Sequence, residues 1–118
     1  LSAISNSKPP DIRRYARQTV LPAIGKDGQK SLSSSRVSIL GVGALGTNSA
    51  SLLARSGVGF IRLVDREYID ISNLNRQNLF DEADIRSGCP KAVMAAKKLA
   101  AVNSTISLEP RVVDMPIP

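Results

Sequence analysis

Three glycines, one aspartate and a few cations carry the chemistry legible in this chain. Gly41, Gly43 and Gly46 are spaced G-x-G-x-x-G, directly after the apolar run Val37-Ser38-Ile39-Leu40 and directly before a helical pattern. That context gives the spacing its meaning. The first glycine permits a tight strand-to-helix turn, the second clears a path for phosphate to the backbone, and the third lets helix and strand pack closely. Free N–H groups at the helix N-terminus then favour an anion. Asp65 closes the next apolar run nineteen residues after Gly46, where a carboxylate can accept hydrogen bonds from ribose hydroxyls. These four residues predict a nucleotide site that an NAD or an ATP ligand would fit equally.

The candidate cations are Arg17, Arg76 and Lys91. Lys91 falls in the first turn of a helical pattern, an unfavourable place for a positive charge against the helix dipole, which points to a ligand. Arg76 lies in Ser72-Asn73-Leu74-Asn75-Arg76-Gln77, with a plainer role available as a helix cap or a partner of Asp70; Asn73 could serve as an N-cap or turn residue. Arg17 shares a short helical pattern with Arg13 and Arg14, which could equally be a solvated face. Lys97 and Lys98 read as a solvated face.

These groups need elements to position them. Residues 1–10 end in Pro9-Pro10 and read as a flexible arm. Asp11 reads as an N-cap for a short helix over 12–21, stopped before Pro22, and 11–35 as a helical segment in which a loop with Gly25 and Gly28 precedes a weak helix over 29–34. Strands are expected over 37–40, 60–64 and 106–113, the last weakened by Pro110. A helix over 45–56 places Leu45, Ser49, Leu52 and Leu53 on one face and ends at Gly57; a turn of helix fits 84–88. A longer helix runs from Pro90 to Val102, with Val93, Ala96, Leu99 and Ala100 on one side and Asn103 as its C-cap. Alternation of strand and helix implies an α/β fold, the N-terminal half of a Rossmann-like doubly wound parallel sheet over 36–118. In the usual strand order the first strand is central, so three strands leave it an open edge and the fold unfinished.

Composition narrows the function classes. The chain has 118 residues, 42% hydrophobic and 22% charged, which fits one folded domain. The absence of histidine excludes histidine-based dyads and histidine-ligated metal sites, and a single cysteine, Cys89, excludes an internal disulfide. The cytoplasm is the default compartment, and no apolar run approaches the roughly 20 residues that cross a bilayer. Net charge is +6, and residues 1–36 hold seven Lys and Arg against two Asp. Two Phe, two Tyr and no Trp offer few stacking platforms for nucleic acid.

A specific combination of motifs goes further. RYARQ at 14–18, Gly25 with Gly28-Gln29, the glycine turn, Gly57-Val58-Gly59 and above all SNLNRQ at 72–77 followed by Pro90-Lys91 resemble the ThiF/MoeB/HesA family of ubiquitin-activating-enzyme-like adenylyltransferases, over about residues 14–103. The resemblance implies an enzyme that binds Mg-ATP and lets the C-terminal glycine carboxylate of a ubiquitin-like or sulfur-carrier protein attack the α-phosphate, giving an acyl-adenylate and pyrophosphate. It implies that Asp65 holds the ribose, that Asn73, Arg76 and Lys91 contact phosphates, and that Arg17 reaches the γ-phosphate of the neighbouring subunit in a homodimer. Cations aimed at departing pyrophosphate are what such a transfer needs, and a hydride-transfer enzyme has no comparable use for Arg76 and Lys91. Departures from the family pattern are Ala44 in place of a glycine and the lack, within these residues, of the magnesium-holding aspartate, the CxxC zinc pairs and the thioester cysteine that members carry further on. Cys89 lies where the family does no catalysis. The chain is therefore expected to be part of a longer protein, with the magnesium-binding aspartate beyond it and little adenylyltransferase activity alone. The competing expectations are an NAD-dependent oxidoreductase, supported by the glycine turn and Asp65, and a non-catalytic scaffold subunit.

Overall fold

A computed structural model of the chain describes Ile4 and residues 11–114. The elements are α1 (Ala16–Thr19), α2 (Gly25–Ser34), β1 (Arg36–Leu40), α3 (Ala44–Ser56), β2 (Phe60–Val64), α4 (Glu82–Ser87), α5 (Lys91–Val102) and β3 (Ser107–Arg111). The three strands form a parallel sheet in the order β1-β2-β3, with Ile39, Leu63 and Pro110 level across it. The expected α/β architecture is present, and β1 has an unpaired outer edge among the described residues. The arm reading of residues 1–10 lies outside the described residues except at Ile4, which makes an antiparallel bridge to Leu108.

Alternation decides which face of the sheet is buried. Ile39, Ile61, Leu63 and Leu108 point to the side covered by α3 and α5 and are almost wholly buried, worth about 1.5–3 kcal/mol for each fully buried side chain. The helices meet them through small residues: Ala50 and Ala54 on α3, and Ala92, Ala95 and Ala96 on α5 around Leu99. This corrects the expected face of the 45–56 helix. Leu45 and Leu52 are 85% and 62% exposed, while Thr47, Ala50 and Ala54 on the opposite side are buried. Both stripes are helical in spacing, but only the small-residue stripe lets α3 approach the sheet closely. On α5 the buried arc is wider than expected and includes Lys91 and Met94.

Three boundaries also differ from expectation. The 12–21 pattern splits into a 3-10 turn, Ile12–Tyr15, capped by Asp11, and the short α1. Helix α2 begins at Gly25, not residue 29. Asp27 in its first turn suits the dipole, and the serine hydroxyls of Ser31, Ser34 and Ser35 donate to carbonyls four residues back. The turn near 84–88 is α4, capped by Asp81; Lys98, expected as a solvated cation, lies 2.7 Å from both the Asp81 and Asp84 carboxylates. Burial opposes the charge on Lys98, yet the two carboxylates together hold its pKa above the ordinary value.

A buried polar cluster fastens the N-terminal segment to the core. Asn103 Nδ2 donates to the Tyr15 hydroxyl at 2.9 Å and to the Ala54 carbonyl at 2.8 Å, and Asn103 Oδ1 accepts from the Thr105 hydroxyl at 2.7 Å. Gly57, with φ +94°, lies so close to the Tyr15 ring that a Cβ would stand 2.7 Å from it. Beside it Gln18 and Gln29 both donate to the Ser56 carbonyl.

On the other face of the sheet Arg36 stacks on Phe60, 3.9 Å from the ring centroid, and Arg62 pairs with Glu109 at 3.0 Å. The Arg62 hydrogen bond, with help from Arg111, holds the Glu109 carboxyl below its ordinary value. A carboxyl depressed in the folded state stabilises the fold above the ordinary carboxylate range, and that contribution is lost as pH falls through the folded value.

Two outcomes follow from these contacts. Asn103→Ala removes the amide that bonds the Tyr15 hydroxyl, the Ala54 carbonyl and Thr105 and should lower unfolding free energy by about 2–3 kcal/mol in urea titration; an unchanged midpoint would contradict the clasp. Between about pH 5 and pH 3 the melting temperature of the unsubstituted chain should fall more steeply than that of Glu109→Gln, and parallel curves would remove the pair from the stability ledger.

Candidate functional site

The C-terminal ends of all three strands open onto one cleft of about 780 Å³, lined by Gly41, Gly43 and Ala44, by Asp65, Arg66 and Glu67, by Asn73, Arg76 and Gln77, and by Lys91, Val113 and Asp114. Each stretch arrives there for a local reason. Gly41 leaves β1 at φ +94°, a left-handed conformation that favours glycine, while its N–H still donates to the Val64 carbonyl at 2.8 Å. Gly43 is the N-cap residue of α3, and no side chain caps the helix there. The first-turn N–H groups of α3 thus have no intrahelical acceptor and face the cleft end of the sheet. Gly46 is not on the cleft wall: it lies beneath the turn, where a Cβ would stand 1.9 Å from the Gly41 carbonyl oxygen.

Asp65 organises the floor. Its Oδ2 accepts the Val42 N–H at 2.8 Å and its Oδ1 the Glu67 N–H at 2.7 Å, while its own N–H donates to the Arg111 carbonyl at 3.0 Å. The carboxylate therefore joins the glycine turn to the loop after β2, and the Asp65 backbone ties that loop to the end of β3. A carboxylate oxygen has two acceptor positions, so capacity for further donors remains.

The loop after β2 carries the polar wall. Ile69 and Phe80 anchor it in the core, and between them the 3-10 turn Ile71–Asn73 is closed by a capping box in which the Asp70 carboxylate accepts the Ser72 N–H at 2.9 Å and Asn73 Oδ1 accepts the Asp70 N–H at 2.8 Å. Hydrogen bonds from Ser72 hold the Asp70 carboxyl below its ordinary value. The Asn73 Nδ2 group remains a donor. Arg76 is exposed; its Nη1 donates to the Ser72 carbonyl at 2.9 Å and to Asn75 Oδ1 at 3.0 Å, not to Asp70, and the rest of its donor fork is left over.

Lys91 is the electrostatic anomaly of the site. Its side chain is 4% exposed, its Nζ is 3.8 Å from Glu67 Oε2, and that glutamate is itself 67% exposed. A buried ammonium at the N-terminus of α5 also stands against the helix dipole. It lines the same cleft as Arg76 and the first-turn N–H groups of α3, all of positive sign, with Asp65, Glu67 and Asp114 as the acidic part of the lining. Among the described residues no cluster of three or more His, Cys, Asp or Glu has metal-site geometry; Asp65 is engaged by backbone donors and Asp114 pairs with Arg66 at 3.0 Å. The described residues therefore do not by themselves fit a magnesium ion.

Of the residues singled out in the sequence, Gly41, Gly43, Asp65, Asn73, Arg76 and Lys91 meet at this cleft. Arg17 does not: it is exposed on α1, next to Gln18 and Tyr15, which pack against the segments preceding β2 and β3, at the opposite end of the strands. Sequence reasoning missed Gln77, Glu67 and the Arg66–Asp114 pair as parts of the wall. Gln77 belongs to the SNLNRQ run, but its burial depends on packing against the glycine turn, which spacing does not show.

Strand topology and the cleft at the C-terminal strand ends together define a Rossmann-like α/β unit. The chain belongs to the ThiF family, whose model matches residues 15–116. It is 44% identical over 102 residues to the sulfur carrier protein ThiS adenylyltransferase of Bacillus subtilis, covering 86% of this chain and 30% of that protein. It is 45% identical over 97 residues to the adenylyltransferase and sulfurtransferase MOCS3 of Xenopus laevis, covering 82% of this chain and 21% of that one. The crystal structure of E. coli MccB with ATP superimposes with a TM-score of 0.77 at 33% identity, over 88% of this chain and 32% of MccB. The chain thus spans about a third or less of the length of these proteins. Among the described residues no helix is long and apolar enough to cross a membrane.

The glycines offer a paired test. Gly46→Ala forces the turn apart and should destabilise by about 1–3 kcal/mol, whereas a Cβ at Gly43 would meet only Gln77 Nε2, at 3.8 Å. Gly43→Ala should therefore keep its unfolding midpoint and lose anion binding, read by titration with inorganic triphosphate. Equal stability losses for the two variants would contradict the division of roles.

Proposed function

We propose that the cleft binds ATP as a substrate and that the protein containing this domain activates the C-terminal glycine carboxylate of a ubiquitin-like or sulfur-carrier protein by adenylylation. The observation that carries this reading is Lys91, a buried cation whose ion-pair partner among the described residues, Glu67, is exposed, lining one cleft with the uncapped α3 N-terminus and the Asp65-anchored glycine turn. Membership of the ThiF family, the similarity to a ThiS adenylyltransferase and the likeness to MccB, solved with ATP, support it.

In this reading the phosphates lie over Gly41 and Gly43, and the ribose hydroxyls donate to the Asp65 carboxylate. Asn73 Nδ2, the free donors of Arg76 and Lys91 Nζ hold the phosphate chain. The carrier carboxylate oxygen attacks the α-phosphorus, forming the acyl–phosphate bond as the bond to the bridging oxygen of pyrophosphate breaks. Negative charge builds on that leaving oxygen, and fixed cations already in place stabilise it without reorganising. No magnesium step is assigned to these residues.

Arg17 acts in trans. Its side chain makes no hydrogen bond or ion pair among the described residues, and a five-residue strand, about 16 Å long, separates the α1 end of the sheet from the cleft. A homodimer would bring Arg17 of one subunit to the triphosphate of the other. Two measurements test the reading. ATP–pyrophosphate exchange should appear with a carrier protein ending in glycine and vanish when its terminal carboxylate is amidated. Arg17→Ala and Asp65→Ala full-length chains should each be inactive, and mixing them should restore about a quarter of the sites, as expected for reassorted two-fold dimers. Absence of recovery would refute sharing.

A further inference from the structure

The cleft wall contains a buried group used neither by the fold nor by the phosphate contacts proposed above. Gln77 is 3% exposed, and its side-chain Oε1 is a buried polar atom without a hydrogen-bond partner among the described residues. Other buried polar side chains are paired: Asn103 with Tyr15 and Thr105, Thr47 with the Gly43 carbonyl, Asp84 with Asp81 and Lys98. Buried polar atoms are nearly always satisfied, so an orphan calls for a reason. Packing does not supply one, since a methionine side chain would fill the same wall with no polar atom to satisfy. Nor is the residue loosely held. Its N–H donates to the Asn73 carbonyl at 2.8 Å, and its carbonyl accepts from the Phe80 N–H at 3.2 Å. The amide is seated against Gly43, with Nε2 3.8 Å from where a Cβ would stand, so carboxamide and uncapped helix N-terminus share one spot on the wall.

We propose that Gln77 is a ligand-binding residue: Nε2 donates to a phosphate oxygen over Gly43, and Oε1, which no phosphate oxygen can satisfy, accepts from a water that enters with the ligand's hydration shell. A carboxamide suits this place because it adds a donor and an acceptor without another charge beside Lys91 and Arg76. The inference rests on the nucleotide reading of the cleft and adds a contact to it.

The test uses the full chain, unsubstituted and as Gln77→Met and Gln77→Glu, melted without ligand and titrated with a non-hydrolysable ATP analogue. Gln77→Met should bind about tenfold more weakly, about 1.4 kcal/mol, while melting at or above the unsubstituted protein because the orphan acceptor is gone. Gln77→Glu should bind more weakly still, through repulsion between carboxylate and phosphate. Binding of the analogue by Gln77→Met as tightly as by the unsubstituted chain overturns the inference. So does a ligand-free melting temperature that drops in step with affinity, which makes Gln77 a packing residue. Failure of the unsubstituted chain to bind the analogue overturns the nucleotide reading itself, and this inference with it.

Discussion

The Asp65 carboxylate is the hinge pin of this structure. Its two oxygens take N–H groups from Val42 and Glu67, and the residue's backbone N–H reaches the end of β3, so one residue, through side chain and backbone together, fixes the relative positions of the three strand ends. Everything at the cleft hangs from that junction. The glycine turn can present α3's first N–H groups because Val42 is tied down behind it. Glu67 in turn accepts the Lys91 N–H through its carbonyl at 2.9 Å, setting the start of α5 and the depth of the lysine. Hydrogen bonds to a charged acceptor are worth about 1.5–3 kcal/mol each, so the anchoring is strong while acceptor capacity remains for a ligand.

The sheet separates two tasks. At the C-terminal ends of the strands are the groups proposed to hold the phosphates; at the N-terminal ends Tyr15, Gln18, Gln29, Asn103 and Thr105 hold α1 and α2 onto the core. The clasp gives the basic segment over α1 and α2 a defined position, and that position explains why Arg17 stands away from the cleft.

Much of this was legible in the residues, and the failures have physical causes. The glycine spacing, the nineteen-residue interval to Asp65 and the misplaced charge of Lys91 are local features with direct structural meaning, and they bring Gly41, Gly43, Asp65 and Lys91 to the cleft, with Gly46 beneath the turn. The face of α3 was misjudged because hydrophobicity favours Leu45 and Leu52, whereas close helix–sheet contact favours Ala50 and Ala54. The start of α2 was placed too late because Gly25 and Gly28 were weighed as breakers, although tertiary bonds from Gln29 to Ser56 and from Gly59 to Leu32 hold the helix in place. Lys98 looked solvated because Asp81 and Asp84 approach it only once α4 folds against α5. Gln77 escaped notice because burial of a polar side chain leaves no trace in sequence spacing.

The central claim is that the cleft recognises a phosphate chain through buried positive charge. Calorimetric titration of ATP and of AMP into the full chain, unsubstituted and as Lys91→Met, tests it most directly. The cleft described here should bind ATP more tightly than AMP by at least about tenfold, and Lys91→Met should erase most of that preference while leaving AMP binding nearly unchanged. Equal affinity for the two nucleotides in the unsubstituted chain, or a preference that survives the loss of Lys91, would contradict it.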